Sequence, residues 1–287
     1  KLKEKKLNEV YNMYKIGIVG SGVMGCGIAS LFSVNGLEVI ITDKNSESLI
    51  AAKSQIKRNN MMYVLRKGMK SIKPVSFTHE IEKFAECNII IEAISENLHE
   101  KEMLIKKIGE NENSDRIIVS NTSCISIEKL ANFYSKPSNV IGVHFMNPVN
   151  MIDTFEIIKT KWTSYRTIET IKQLLERVEK KYYIVNDSPG FVSNRISHLY
   201  MNEAAKILDE KIADVKSIDG IFRECYGHKM GPLETADLIG IDVVVDTLHE
   251  LYAQYQDEKY KCCVLLETMV QQGELGCKCG KGFYTYD

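Results

Sequence analysis

Gly20, Gly22 and Gly25 stand in the run Gly20-Ser21-Gly22-Val23-Met24-Gly25, between an apolar stretch and a stretch of helical pattern. Glycines at these positions permit a tight turn at Gly20, backbone approach to a diphosphate at Gly22, and close packing of helix on strand at Gly25. Ser21, Val23 and Met24 complete the turn and the helix start, where free N–H groups and the positive end of the helix dipole face phosphate oxygens. The same pattern also serves plain packing, so its neighbours decide its use. A second apolar strand ends in Asp43, 23 positions after Gly20. That is close to the roughly 20-residue spacing of the carboxylate that holds adenosine ribose hydroxyls. An anion there repels a 2′-phosphate, so the expected cofactor is NAD rather than NADP. The other use of Asp43 is as a turn residue or helix cap ahead of Ser46.

Oxidation of an alcohol by such a cofactor needs a separate group to take the hydroxyl proton, and imidazole titrates in the right range. Of the six histidines, only His144 ends an apolar strand pattern; His79, His99, His198, His228 and His249 fall on turns or helices. Glu156, twelve residues further on, lies on the next strand. It is the candidate to hold the second imidazole nitrogen, as carboxylates do in catalytic triads. A histidine satisfied within the core is the alternative reading of His144.

These side chains need a scaffold that sets strand ends side by side. Helical patterns over 24–35, 46–67, 98–108, 126–133 and 164–180 alternate with strand patterns over 37–42, 75–80, 87–93, 116–120, 140–144, 154–159 and 182–185. The alternation predicts an α/β fold whose N-terminal part is a Rossmann-like, doubly wound parallel sheet with helices on both faces. Ligands gather at the C-terminal ends of such strands. Those ends carry the glycine turn, Asp43, Glu92 with Glu96, Ser120 to Ser123, and His144 to Pro148. The break Asn186-Asp187-Ser188-Pro189-Gly190 is followed by helical pattern over 192–208, 216–226, 232–238, 242–256 and 260–272. The expected organisation is an extension outside the fold at 1–13, an NAD-binding domain at 14–189, and an all-helical C-terminal domain at 190–287.

Lys plus Arg number 37 against 38 for Asp plus Glu, so no basic excess points to nucleic acid. No apolar run approaches the roughly 18 residues of a membrane span, and no apolar signal core opens the chain. A soluble, cytoplasmic protein is expected. The eight cysteines lack the spacing of a disulfide framework, and Cys277-Lys278-Cys279 has one residue between thiols, poor zinc spacing. No metal is expected.

Taken in order, several motifs resemble the 3-hydroxyacyl-CoA dehydrogenase family, especially its short bacterial 3-hydroxybutyryl-CoA dehydrogenases. Beside the glycine turn they are Glu92-Ala93-Ile94-Ser95-Glu96-Asn97, Ser120-Asn121-Thr122-Ser123, Gly142-Val143-His144-Phe145-Met146-Asn147-Pro148, Ser188-Pro189-Gly190-Phe191-Val192-Ser193-Asn194-Arg195, Asp237-Leu238-Ile239-Gly240 and Gly280-Lys281-Gly282-Phe283-Tyr284. The resemblance implies NAD-dependent interconversion of L-3-hydroxyacyl-CoA and 3-oxoacyl-CoA. By it, His144 is the base, Glu156 its paired carboxylate, Ser123 a hydroxyl contacting substrate, and Asn194 an amide that helps fix the substrate oxygen. Glu96, Lys101, Asn147 and Lys278 match positions that touch NAD, and the helical domain supplies a homodimer interface.

Two departures from the family pattern lie on the substrate side. The stretch between Asp43 and Glu92 is several residues shorter, and Asp153 stands where relatives commonly have lysine. Lys53, Lys57, Arg58 and Lys67 in that shortened arm either face phosphates or form a solvated helix face. A trimmed nucleotide-binding arm fits a second substrate reading, the same acyl group carried on an acyl carrier protein. A dinucleotide-binding regulator without catalysis would lack the base or its partner, and both are present.

Overall fold

The protein is described by a computed structural model over residues 14–68, 71–110 and 115–286. The expected extension at 1–13 lies outside the described residues. Two compact units divide the chain, the second beginning at Ser188.

In the first unit, short runs of Ile and Val become strands because β-branched side chains pack well on a pleated surface covered on both faces. The order is β1 (Lys15–Val19), α1 (Val23–Val34), β2 (Glu38–Thr42), α2 (Ser46–Lys67), β3 (Val75–Thr78), a 3-10 turn at Ile81–Glu86, β4 (Ile89–Glu92), α3 (Leu98–Gly109), β5 (Ile117–Ser120), α4 (Ile127–Ala131), β6 (Val140–His144), β7 (Thr154–Lys159), α5 (Tyr165–Arg177) and β8 (Lys181–Asn186). The strands form one eight-stranded sheet in the order β3-β2-β1-β4-β5-β6-β7-β8. Strand order reverses beside β1, which makes a crevice at the carboxyl ends of β1 and β4.

The sheet departs from the expected all-parallel arrangement at one pairing. β6 and β7 run antiparallel, whereas every other neighbouring pair is parallel. A parallel return needs a crossover of about a dozen residues or more, and residues 145–153 contain no helix. The reversal sets His144 directly opposite Glu156 in the ladder.

Alternate residues of each strand serve opposite faces. Ile16, Ile18, Ile89, Ile91, Ile141 and Val143 join one buried cluster with residues of α1, α2 and α5. The other face is equally close: a Cβ on Gly17 would meet Phe84 at 2.7 Å, and one on Gly142 would meet Ile127 at 2.7 Å. Helix α2 is capped by Asn45, whose side chain accepts from the N–H groups of Glu47 and Ser48. The cap is thus Asn45 and not Asp43, which is left available for other partners.

The second unit contains α6 (Ser193–Asp209), α7 (Val215–Tyr226), α8 (Pro232–Ile239), α9 (Ile241–Tyr255), a 3-10 turn at Glu258–Tyr260, and α10 (Val264–Gln271). Met201, Leu233, Val244, Leu248 and Leu266 are fully buried at its centre. The single helix expected over 260–272 is broken. Asn202, buried on α6, donates to the Lys261 carbonyl at 2.9 Å and accepts from the Cys263 N–H at 2.8 Å, so these backbone groups bond outside any helix. Two buried carboxylates tie down the chain end. Asp219 accepts from the Leu233 and Glu234 N–H groups and the Tyr284 hydroxyl, and Asp237 from the Phe283 and Tyr284 N–H groups and the Tyr286 hydroxyl. Among the described residues, no helix is long and apolar enough to cross a membrane.

Candidate active site

The glycine turn is shaped by contacts that exclude side chains. Gly20 has φ +103°, and a Cβ there would lie 2.4 Å from the Ala93 carbonyl oxygen. A Cβ on Gly25 would lie 1.8 Å from the Gly20 carbonyl oxygen, whereas one on Gly22 would meet nothing within 4 Å. Gly20 and Gly25 are therefore fixed by packing, and Gly22 opens onto free space. Gly22 is the N-cap of α1, with no side-chain cap and no acidic residue in the first turn. Such a helix end presents uncapped positive dipole to an anion.

Asp43, at the end of β2, accepts from the Ser21 N–H and hydroxyl through Oδ2, each at 2.8 Å, and from the Asn45 N–H through Oδ1 at 2.9 Å. Partial burial pushes its carboxyl up, but the Asn45 and Ser21 hydrogen bonds and nearby Lys44 outweigh this and hold it below the usual range. A cleft of about 450 Å³ runs along this turn, lined by Gly20, Gly22, Asp43, Ala93, Ser95 and Met103 among others. An open helix end for a diphosphate and an ionised carboxylate for ribose hydroxyls suit a dinucleotide without a 2′-phosphate. Asp43→Ala is expected to weaken NADH binding by about tenfold, the scale of a lost charged hydrogen bond, and to narrow the preference over NADPH. Fluorescence titration with both nucleotides checks this; an unchanged NADH affinity would remove the ribose assignment.

Behind this turn lies a polar network at the ends of β4 and β5, buried at Glu92, Lys101, Ser120 and Thr122 and open to solvent at Glu96. Glu92 and Lys101 are 0% and 1% exposed, with Lys101 Nζ 2.5 Å from Glu92 Oε1. The Ser120 hydroxyl donates to Glu92 Oε2 at 2.5 Å, and the Ile94 N–H to Oε1 at 2.9 Å. Lys101 also lies 3.4 Å from Glu96 Oε2. Glu96 Oε1 in turn accepts from the Thr122 hydroxyl at 2.5 Å and from the N–H groups of Ser123 and Cys124 at 3.0 and 2.9 Å. Partial burial pushes the Glu96 carboxyl up, but Lys101 and these donors hold it below its ordinary value. Glu96 thus anchors the turn that carries Ser123, and Lys101 is enclosed among carboxylates. Sequence reasoning placed Glu92 only among the polar strand ends and left Ser120 and Thr122 without roles. Its signal was available: a glutamate continuing the apolar run Ile89 to Ile91 must find a partner once buried.

The third group lies at the ends of β5 and β6. His144 Nδ1 is 3.0 Å from Glu156 Oε2, and both residues are buried. His144 Nε2 is 3.5 Å from the Ser123 hydroxyl oxygen. Asn121, also missed from sequence, accepts from the Phe145 N–H at 3.0 Å and so fixes the chain just past His144. Asn147 is exposed beyond it and precedes Pro148 through a cis peptide bond. The structure therefore brings together His144, Glu156 and Ser123, and separately Gly20, Ser21, Gly22 and Asp43; Val23 and Met24 open α1 beside the latter. Asn194 and Lys278 belong to the second unit. Asn194 lies in the first turn of α6, where its carbonyl accepts from His198 Nδ1 at 3.0 Å, and Lys278 is paired with Asp242.

A family model described as the 3-hydroxyacyl-CoA dehydrogenase NAD binding domain matches residues 15–188, and one described as the C-terminal domain of 3-hydroxyacyl-CoA dehydrogenase matches 190–286. The chain belongs to the 3-hydroxyacyl-CoA dehydrogenase family. The dehydrogenase is 38% identical over 278 residues to a probable 3-hydroxybutyryl-CoA dehydrogenase of Deinococcus radiodurans, covering 95% of this chain and all of that one. It is 36% identical to a 3-hydroxybutyryl-CoA dehydrogenase of Clostridioides difficile, covering 95% of this chain and 99% of the relative. Among solved structures, the (S)-3-hydroxybutyryl-CoA dehydrogenase PaaH1 of Ralstonia eutropha aligns with TM-score 0.89 and 33% identity, covering 96% of this chain and 99% of that chain. The dehydrogenase is thus an oxidoreductase of the NAD-binding type, with a Rossmann-like first unit and a helical second unit.

Proposed function

We propose that the chain interconverts a short L-3-hydroxyacyl-CoA, such as 3-hydroxybutyryl-CoA, and the corresponding 3-oxoacyl-CoA, with His144 as general base. The reading rests above all on the His144–Glu156 pair beside Ser123, together with the names of the relatives. With its Nδ1–H donated to Glu156, the neutral imidazole presents Nε2 as the acceptor. This nitrogen takes the proton of the substrate's 3-hydroxyl, and Glu156 stabilises the imidazolium that results. NAD, when bound, supplies the acceptor for the hydride from the same carbon. The Ser123 hydroxyl orients the substrate oxygen, and in the reverse direction it donates to a ketone as negative charge develops. The reverse reaction returns the proton from His144 to that oxygen.

Steady-state NADH oxidation with acetoacetyl-CoA, run beside the same acyl group on an acyl carrier protein, tests the substrate. Strong turnover is expected on the free CoA thioester. Turnover confined to the carrier-bound thioester would overturn the CoA assignment and give the shortened arm after Asp43 a functional meaning.

A further inference from the structure

His249, Cys262 and Glu267 lie in the second unit, and none of them takes part in the proposed reaction. His249 comes from the middle of α9, Glu267 from the first turn of α10, and Cys262 from the segment between the 3-10 turn and α10. One ligand atom from each, an imidazole nitrogen, a thiol sulfur and a carboxylate oxygen, all lie within 4.8 Å of one another. His249 Nε2 is 2.9 Å from Glu267 Oε1.

The position of Cys262 is built rather than incidental. Asn202 clamps the carbonyl of Lys261 and the N–H of Cys263, the residues on either side. Cys263 has extended backbone, with φ −66° and ψ 135°. Cys263 is 5% exposed and packs into the helical core. Cys262 is half-buried against the same core, its thiol donates to the Cys263 carbonyl at 3.6 Å, and its sulfur still lies within 4.8 Å of the His249 and Glu267 donor atoms.

We propose that His249, Cys262 and Glu267 form a binding site for a zinc-class divalent cation. Thiolate, imidazole and carboxylate are the donors zinc takes, whereas magnesium and calcium select oxygen-only sets. Around a tetrahedral zinc the donor atoms sit roughly 3.3–3.8 Å apart, as follows from bond lengths of about 2.0–2.3 Å. Closing the trio to that spacing needs movements of about 1 Å. The His249 and Glu267 side chains, 54% and 39% exposed, have the freedom to make them and leave a path for the ion. Binding releases the thiol proton to solvent. The metal would join α9, α10 and the intervening segment, with a fourth position open to water. Sequence spacing gave no sign of it, because the donors do not fall in the paired patterns by which zinc sites are read.

The test uses the untagged full chain with cobalt(II) alone, then zinc alone. One equivalent of cobalt is expected to give a thiolate-to-metal absorption band that zinc removes and magnesium does not. Cys262→Ser should abolish the band. His249→Ala and Glu267→Gln, which alter partly exposed side chains and keep all eight cysteines, should each weaken cobalt binding at least tenfold. Absence of the band, its survival in Cys262→Ser, or undiminished affinity in the other two variants would overturn the site. Dehydrogenase activity is not the readout, so these outcomes are independent of the proposed reaction.

Discussion

Replacing His144 by Gln is expected to lower kcat by roughly 100-fold or more, the usual scale for a general base, while NADH affinity stays within about twofold. The contrast follows from where His144 sits. Its Nδ1 side is held by Glu156 at 3.0 Å, and its Nε2 side faces Ser123. The groups proposed to bind the dinucleotide, Gly22 and Asp43, belong to the α1 and β2 ends, and β1, β4 and β5 separate β2 from the His144 strand in the sheet. Glutamine has an amide that can donate to Glu156, so the buried carboxylate keeps a partner, but it cannot accept and hold the substrate proton. A fall in kcat and in kcat/KM together would place the lost interaction in the transition state. Single-turnover NADH oxidation, paired with NADH fluorescence titration, separates the effects. Unchanged turnover would remove His144 from its role; a parallel loss of NADH binding would make its effect structural.

The sequence made much of this arrangement readable because its strands are short, uninterrupted apolar runs. β6 and β7 were legible to the residue, Val140–His144 and Thr154–Lys159, since polar or proline-bearing segments bound both. What did not follow was their relative direction. The alternation of strand and helix elsewhere imposed a parallel reading, although no helix intervenes between these two. That reversal is what turns the twelve-residue separation of His144 and Glu156 into a direct cross-strand pair. The break in the last helix was invisible for another reason. It depends on Asn202, some sixty residues earlier, and no local propensity reports such a bond. Lys101 adds what the resemblance does not carry: beside the NAD contact implied by its matched position, its Nζ is held between Glu92 and Glu96.

Lys101→Met is accordingly expected to destabilise the first unit by about 3–5 kcal/mol, the range for removing one partner of a buried ion pair. Methionine approximates the length of the lysine stem, so loss of volume is a minor part of the effect. Glu92, 0% exposed, would keep the Ser120 hydroxyl and the Ile94 N–H but lose its cation. By comparison, the exposed pair Lys44–Glu100 belongs to a class that contributes about 0–1 kcal/mol. The double variant Glu92→Gln, Lys101→Met removes both charges and should recover a large part of the loss. Urea unfolding followed through Trp162, the single tryptophan and a residue of the first unit, reads the midpoint directly. A single variant as stable as the parent would show that the pair is not carrying the fold. Recovery of stability in the double variant without recovery of turnover would mark Lys101 as a positioning residue. Its ammonium group is also 3.4 Å from Glu96 Oε2, and Glu96 holds the turn from which Ser123 faces His144. A purely structural pair would instead restore stability and turnover together.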